Sequence, residues 1–357
     1  MPAAADIQSR TVRVLATAQV LSGVGTSGTV AAGSLLVSSI SHSATLAGLA
    51  QTFSVLGAAL MAIPLARLTN RGALRALPVV FVGALLLGAA SASSYQARFA
   101  AIDLATPESR ARNLSVVVWG STVGAVAGPN LITPSGWLAH LLGLPRLVGP
   151  YLLAASTLMV ALTVIRLFLS PDPYVVANQN AETGVMRSQL PMRQVLGIIR
   201  RNRRALLGVS AVAIGHLVMV GVMVMTPVHM KQVDVTLTII GLVISIHILG
   251  MFAFSPLVGW LSDKFGRVRS IQLGVLLLIA AVVTAGTAQG MNTWQLGAGL
   301  FMLGLGWSFT LISGSTLLSE SVDDAVRSTT QGTSDLIMNL MGAAGGAVAG
   351  VIIGLLN

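Results

Sequence analysis

Long apolar runs recur from one end of the chain to the other, and each approaches or exceeds the roughly 20 consecutive residues that a helix needs to cross a bilayer. They fall at about 12–39, 44–66, 77–97, 113–129, 147–168, 205–228, 236–260, 271–289, 293–318 and 328–356. Hydrocarbon offers no water to backbone N–H and C=O groups, so such runs predict helices throughout and an all-α integral membrane protein. With 54% of its 357 residues hydrophobic and only 9% charged, the chain has too little polar surface for a soluble domain. The first run is too long for a cleavable signal and is expected to stay as a spanning helix. There is no cysteine, which removes disulfides, a thiolate nucleophile and Cys-based metal sites.

The charges act as a topology ruler. Lys and Arg number 21 against 11 Asp and Glu, a net +10. Gathered on one face, that excess would suit nucleic acid. It falls instead in short clusters between apolar runs, so membrane lipid, and no nucleic acid, is the expected partner. If Arg10 and Arg13 are cytoplasmic and all ten runs span once, strict alternation puts Arg98, Arg110, Arg112 and the basic linker on the wrong side. One further span between about Arg67 and Leu77 moves 19 of the 21 basic residues to the cytoplasmic side, leaving Arg146 and Lys231 outside. The expectation is a twelve-helix plan with about ten spans present. The third and twelfth are missing, whether from a native deletion or a shortened form of the chain.

The long polar stretch from Ser170 to Arg204 separates two halves, giving an N-terminal bundle at 1–169, a cytoplasmic linker at 170–204 and a C-terminal bundle at 205–357. The linker ends in an amphipathic or juxtamembrane segment near 191–204. Related marks recur in both halves: Asp103-Leu-Ala-Thr-Pro-Glu108-Ser-Arg110 and Glu320-Ser-Val-Asp-Asp-Ala-Val-Arg327, each leading into a glycine-patterned helix. Parallel repeats of this kind build a central cavity in secondary transporters.

The run Gly259-Trp-Leu-Ser-Asp263-Lys-Phe-Gly266-Arg267 resembles the loop signature of the major facilitator superfamily, Gly-x-x-x-Asp-x-x-Gly-Arg. Its glycines allow a tight turn and close helix approach, while Asp263 and Arg267 can pair and cap helix ends as a conformational latch. The first-half counterpart, Pro64 to Gly72, is degenerate and breaks where the third helix is missing. Gly124-Ala-Val-Ala-Gly128-Pro129 resembles the glycine-proline motif of the superfamily's fifth helix. Small residues there let helices pack closely, and a role in setting transport direction is the other reading. The resemblance covers nearly the whole chain and implies a two-bundle fold, no enzymatic activity, no cofactor and a monomer in the plasma membrane.

Between His216 and Met251, 36 residues hold five of the 14 methionines and three of the five histidines. Met219 and Met223 share a helix face, as do His247 and Met251. Antiparallel helices joined near residue 232 would bring Met219 and His247 to similar depth. Thioether sulfur and neutral imidazole suit Cu(I); the plainer reading is methionine as gap filler and histidine as an interhelical hydrogen-bonding group. Met219-x-x-x-Met223 and His247-x-x-x-Met251 resemble the paired motifs of the CcoA-type copper importers, which implies that these four residues carry copper as substrate. His229 and Met230 form a candidate entry site.

Asp335, Arg98, Gln96 and Asn339 are further suspects for coupling or cavity lining, because ionisable groups inside a bilayer are costly. Asp335 could carry a coupling proton, pair with Arg98 or be a boundary carboxylate. The expected function is alternating-access transport, with copper the preferred cargo. A drug or small metabolite such as riboflavin is the alternative, and a non-transporting receptor or scaffold is a reading from another class.

Overall fold

A computed structural model describes residues 4–41, 97–144, 146–170, 176, 191–232, 237–288 and 292–356. The runs at 44–66 and, but for its last residue, 77–97, with Gln96 and the junction near residue 72, lie outside the described residues. So do the side chains of Gly128, Pro129, Met225, His229 and Met230. The described part is all-α, with no strand: α1 Ala4–Ser41, α2 Arg110–Asn130, α3 Ile132–Leu141, α4 Gly149–Phe168, α5 Met192–Arg201, α6 Arg203–Gln232, α7 Leu237–Ile248, α8 Ser255–Phe265, α9 Arg267–Gly286, α10 Thr293–Ser321 and α11 Asp324–Leu356. Among the described residues α4, α6, α9 and α10 contain stretches long and apolar enough to span on their own, and the bent pair α7–α8 adds a fifth.

The run at 236–260, expected as one straight span, is broken. A π-helical turn at Leu249–Ala253 separates α7 from α8, and the two are bent by 40°. Pro256 explains the break. It has no N–H for the Phe252 carbonyl four residues back, and its ring crowds that carbonyl. The Ser255 hydroxyl donates to Phe252 O instead, at 2.7 Å. Two glycines let α10 approach the turn closely: a Cβ on Gly250 would strike Phe301 O, and one on Gly304 would strike His247 O.

Chain contacts group the described residues into two packed units. One contains 17–41 of α1, the end of α2, α3 and α4. Here a Cβ on Gly124 would collide with the Gly23 backbone, and one on Gly25 would press on Ala154 and Thr157. Gly124, expected to serve close helix packing, has no room for a side chain there.

The other unit contains residues 1–16, 98–122 and everything from 169 onward. Its centre is α10, buried along most of its length from Leu296 to Ser319. Helices α6 and α9 lie against α10 through paired small residues, Gly208 on Gly314 and Gly274 on Gly306, while α11 lies against α6 with Gly345 on Leu217. Residues 98–122 belong with this unit because Phe99, Ile102, Ala111, Leu114 and Val118 form one apolar cluster with Val258, Phe309 and Ile312. Helix α5 lies over the same end of the unit, its Val195 and Ile199 buried with Ala205, Val209, Leu318 and Val322.

Candidate functional site

The residues expected to form a latch sit at the turn from α8 to α9. Gly266 has φ 93° and ψ 153°, a region reserved in practice for glycine. That turn brings Arg267 back over Asp263, with Nη1 donating to Oδ1 at 2.6 Å. The same carboxylate accepts from the backbone N–H groups of Ala111, at 3.2 Å, and Arg112, at 2.9 Å. These are orphan donors in the first turn of α2, where a negative charge is favoured. Arg267 Nη2 then donates to Glu320 Oε1 and to Pro107 O, both at 2.8 Å. The two acid-bearing segments that marked the halves in sequence thus converge on one guanidinium. A Cβ on Gly259 would strike Ala111 O and Ser115, so the first glycine of the motif sets the distance at which α8 meets α2.

Deeper in the unit, Arg98 donates to Asp335 as an ion pair between residues 237 apart in sequence. Both side chains are buried, and the guanidinium also lies 4.7 Å over the Phe99 ring. Asn339, one turn further along α11, donates to Asp335 O at 2.7 Å. Gln8 Nε2, which the sequence reading passed over, donates to Ala101 O at 2.7 Å. No spacing rule links residue 8 to residue 101.

The methionine and histidine residues occupy the interior of the second half. Contacts of Gly208 with Gly314 and Leu318, and of Gly215 with Thr310, set the antiparallel register of α6 on α10. Extended along the helices, that register puts Met219 near the level of Leu305 and Met223 near that of Phe301. Met223 packs on Val243, Leu296 and Leu300. His247 is bonded through Nδ1 to Leu300 O at 2.8 Å, so its ring lies near the level of Met223 and not, as expected, at that of Met219. Helix α6 packs chiefly on α11 and α10, and α7 on α10 and the π-helical turn. Met219 is buried, and Met251 lies in the π-helical turn.

Both buried imidazoles are tied at Nδ1. For His247 the carbonyl partner makes Nδ1 the donor, leaving the Nε2 lone pair with no hydrogen-bond partner among the described residues. For His216 the roles reverse: Trp307 Nε1 donates to Nδ1 at 3.0 Å. That ring also fills the space over Gly342, where a Cβ would press on it. Trp307 in turn meets the edge of Phe252, with centroids 5.7 Å apart. Trp307 and Phe252 carry no spacing signal that would have tied them to His216. Among the described residues no group of three or more His, Asp or Glu side chains could hold a metal.

The sequence profile of the Major Facilitator Superfamily matches residues 72–349. The chain belongs to this superfamily. It is 35% identical over 380 aligned positions to the MFS-type transporter YdeG of Bacillus subtilis, covering 98% of this chain and 86% of the relative. It is 31% identical over 242 positions to the riboflavin transporter RfnT of Brucella anthropi, covering 68% of this chain and 57% of that one. A bacterial homologue of the iron transporter ferroportin, solved in an outward-facing state, has a TM-score of 0.57 at 14% identity over 97% of this chain and 92% of its own, which shows a shared fold. The protein is therefore a multi-pass membrane transporter of all-α major facilitator fold. An alignment of 380 positions cannot be filled by 357 residues, so at least 23 positions of YdeG face gaps in this chain. That is about one span's worth of residues, and the profile match begins where the charge parity breaks.

Proposed function

We propose that the protein is a secondary active carrier of the plasma membrane working by alternating access, with its N-terminus and linker cytoplasmic and its linker-side gate closed in this structure. The observation that carries this reading is the latch: Asp263, Arg267 and Glu320 hold residues 107–112 against the second half while Arg98 and Asp335 pair beneath them. Opening that side requires both sets of contacts to part. Protonation of Asp335 would release Arg98 and provides a route for proton coupling. The absence of cysteine gives a clean test. Ser115, fully buried under Gly259, becomes the sole thiol in Ser115→Cys. A membrane-impermeant maleimide applied from the linker side should label it slowly. In the added background Asp263→Asn with Arg267→Gln, labelling should rise at least about tenfold, the population change that about 1.4 kcal/mol produces. Equal labelling in both backgrounds would overturn the gate.

For cargo, one observation supports Cu(I). His247 is held by a backbone carbonyl at Nδ1 with its Nε2 lone pair unengaged, the support that metal-ligating histidines receive from their surroundings. Met223 lies near its level, and Met251 follows it by four residues in the π-helical turn. Uptake into proteoliposomes should then be measured for Cu(I) under reducing conditions and, separately, for riboflavin. Copper entry that falls at least about tenfold in Met219→Leu and His247→Leu supports the copper reading. Riboflavin entry that both variants preserve would assign the cargo to the class of the RfnT relative.

A further inference from the structure

The basic residues at the latch end differ in how they are satisfied. Arg267 is enclosed by Asp263 and Glu320, and Arg327 pairs with Asp324. By contrast, Arg193, Arg200, Arg201, Arg203 and Arg204 are all exposed, and no carboxylate pairs with any of them among the described residues. No acidic residue occurs anywhere between Glu182 and Asp234. Five guanidinium groups in twelve residues therefore repel one another, with no carboxylate set against them among the described residues.

Their arrangement is ordered. At about 100° per residue, Arg193, Arg200 and Arg201 fall within roughly one third of the circumference of α5, opposite the buried Val195 and Ile199. Exposed Met192 and Leu196 lie on one flank of that arc. A single extended residue, Asn202, separates α5 from α6, and its side chain holds the junction rigidly. Its Oδ1 accepts from the N–H groups of Arg204, at 3.0 Å, and Ala205, at 3.1 Å, while Nδ2 donates to Ser321 O at 2.5 Å. At the other end of α5, Thr333 donates to Met192 Sδ at 3.6 Å. The helix thus spans from the end of α10 to α11, and the apolar span of α6 starts at Arg203. Arg203 and Arg204 therefore stand at headgroup depth, followed at once by exposed Leu206 and Leu207.

We infer that α5 and the start of α6 form a binding site for anionic phospholipid headgroups of the linker-side leaflet, with the phosphates held by Arg193, Arg200, Arg201, Arg203 and Arg204 and the acyl chains lying on Met192, Leu196, Leu206 and Leu207. Arginine forks suit phosphate oxygens, with two parallel N–H donors each. Basic residues next to a spanning helix are drawn to an anionic surface by about 1 kcal/mol each. A soluble acidic partner would use the charges but would leave the flanking leucines unexplained. Because α5 is tied to Ser321 and Thr333, a bound headgroup would brace the second half beside Glu320, the carboxylate that holds Arg267.

The test uses the full-length protein purified in a neutral detergent. Phosphatidylglycerol should raise its melting temperature above the value in the same molar amount of phosphatidylcholine, and 0.5 M NaCl should shrink that difference. Changing all five arginines to glutamine should abolish the difference without lowering the melting temperature in phosphatidylcholine. Changing them to lysine should retain part of it. If the fivefold glutamine variant does not fold, the pair Arg201→Gln with Arg204→Gln should show an intermediate loss. The inference is overturned by an equal phosphatidylglycerol shift in wild type and glutamine variants, by a shift insensitive to salt, or by glycerol phosphate alone reproducing the effect. Capture of an acidic protein in place of lipid, with no phosphatidylglycerol shift, overturns it too.

Discussion

The latch end and the methionine–histidine interior of the second half satisfy their polar groups in opposite ways. At the latch, Asp263, Arg267 and Glu320 share one network with Pro107 O and two N–H groups of α2, so its members come from three distant parts of the chain. In the interior each imidazole is tied off separately, His216 to Trp307 and His247 to Leu300, both on α10. Networks that cross between the first and second halves of the sequence must break when the halves part; bonds within one half need not. In the gate proposed above, the latch and the Arg98–Asp335 pair would be the parts that switch, and the interior the body that carries them.

The largest effect should come from Arg98. Removing one partner of a buried ion pair leaves an uncompensated charge, which costs about 3–5 kcal/mol. Arg98→Ala or Asp335→Ala alone should lower the melting temperature strongly, and Arg98→Met with Asp335→Leu together should recover most of the loss. A double variant as unstable as the sum of the singles would show that the pair is not the unit that couples these segments.

How far these regions could be read in advance also differs. Asp263 and Arg267 were legible because a local motif encodes a local turn. Gly266 was legible for the same reason. Glu320 and Pro107 stood out as marks in the two halves, but nothing in sequence said that one guanidinium would gather both. The 40° bend between α7 and α8 was legible in principle from Pro256 and was passed over because the apolar run continues unbroken. Trp307 and Gln8 were not legible at all: their partners lie 91 and 93 residues away, and only packing decides such pairs.

Gly266 should rank second. Any side chain at φ 93° and ψ 153° is strained by about 1–3 kcal/mol, and relaxing the turn would pull Arg267 away from Asp263. Gly266→Ala should thus lower the melting temperature less than Arg98→Ala, yet raise maleimide labelling of Ser115→Cys from the linker side. Loss of stability with unchanged labelling would mean that the turn serves folding and not the latch.

Trp307→Phe should have the smallest effect and draws the contrast most sharply. Phenylalanine keeps the edge contact with Phe252 but gives His216 Nδ1 no donor, and leaving a buried acceptor unpaired costs about 1–3 kcal/mol, at the low end where the ring can turn. The melting temperature should fall modestly. Labelling of Ser115→Cys should stay at the parent rate, because the His216–Trp307 bond lies wholly within the second half and does not change when the halves separate. Faster labelling in Trp307→Phe would break the comparison, since it would mean that the interior feeds directly into the gate and that His216 belongs to the switch.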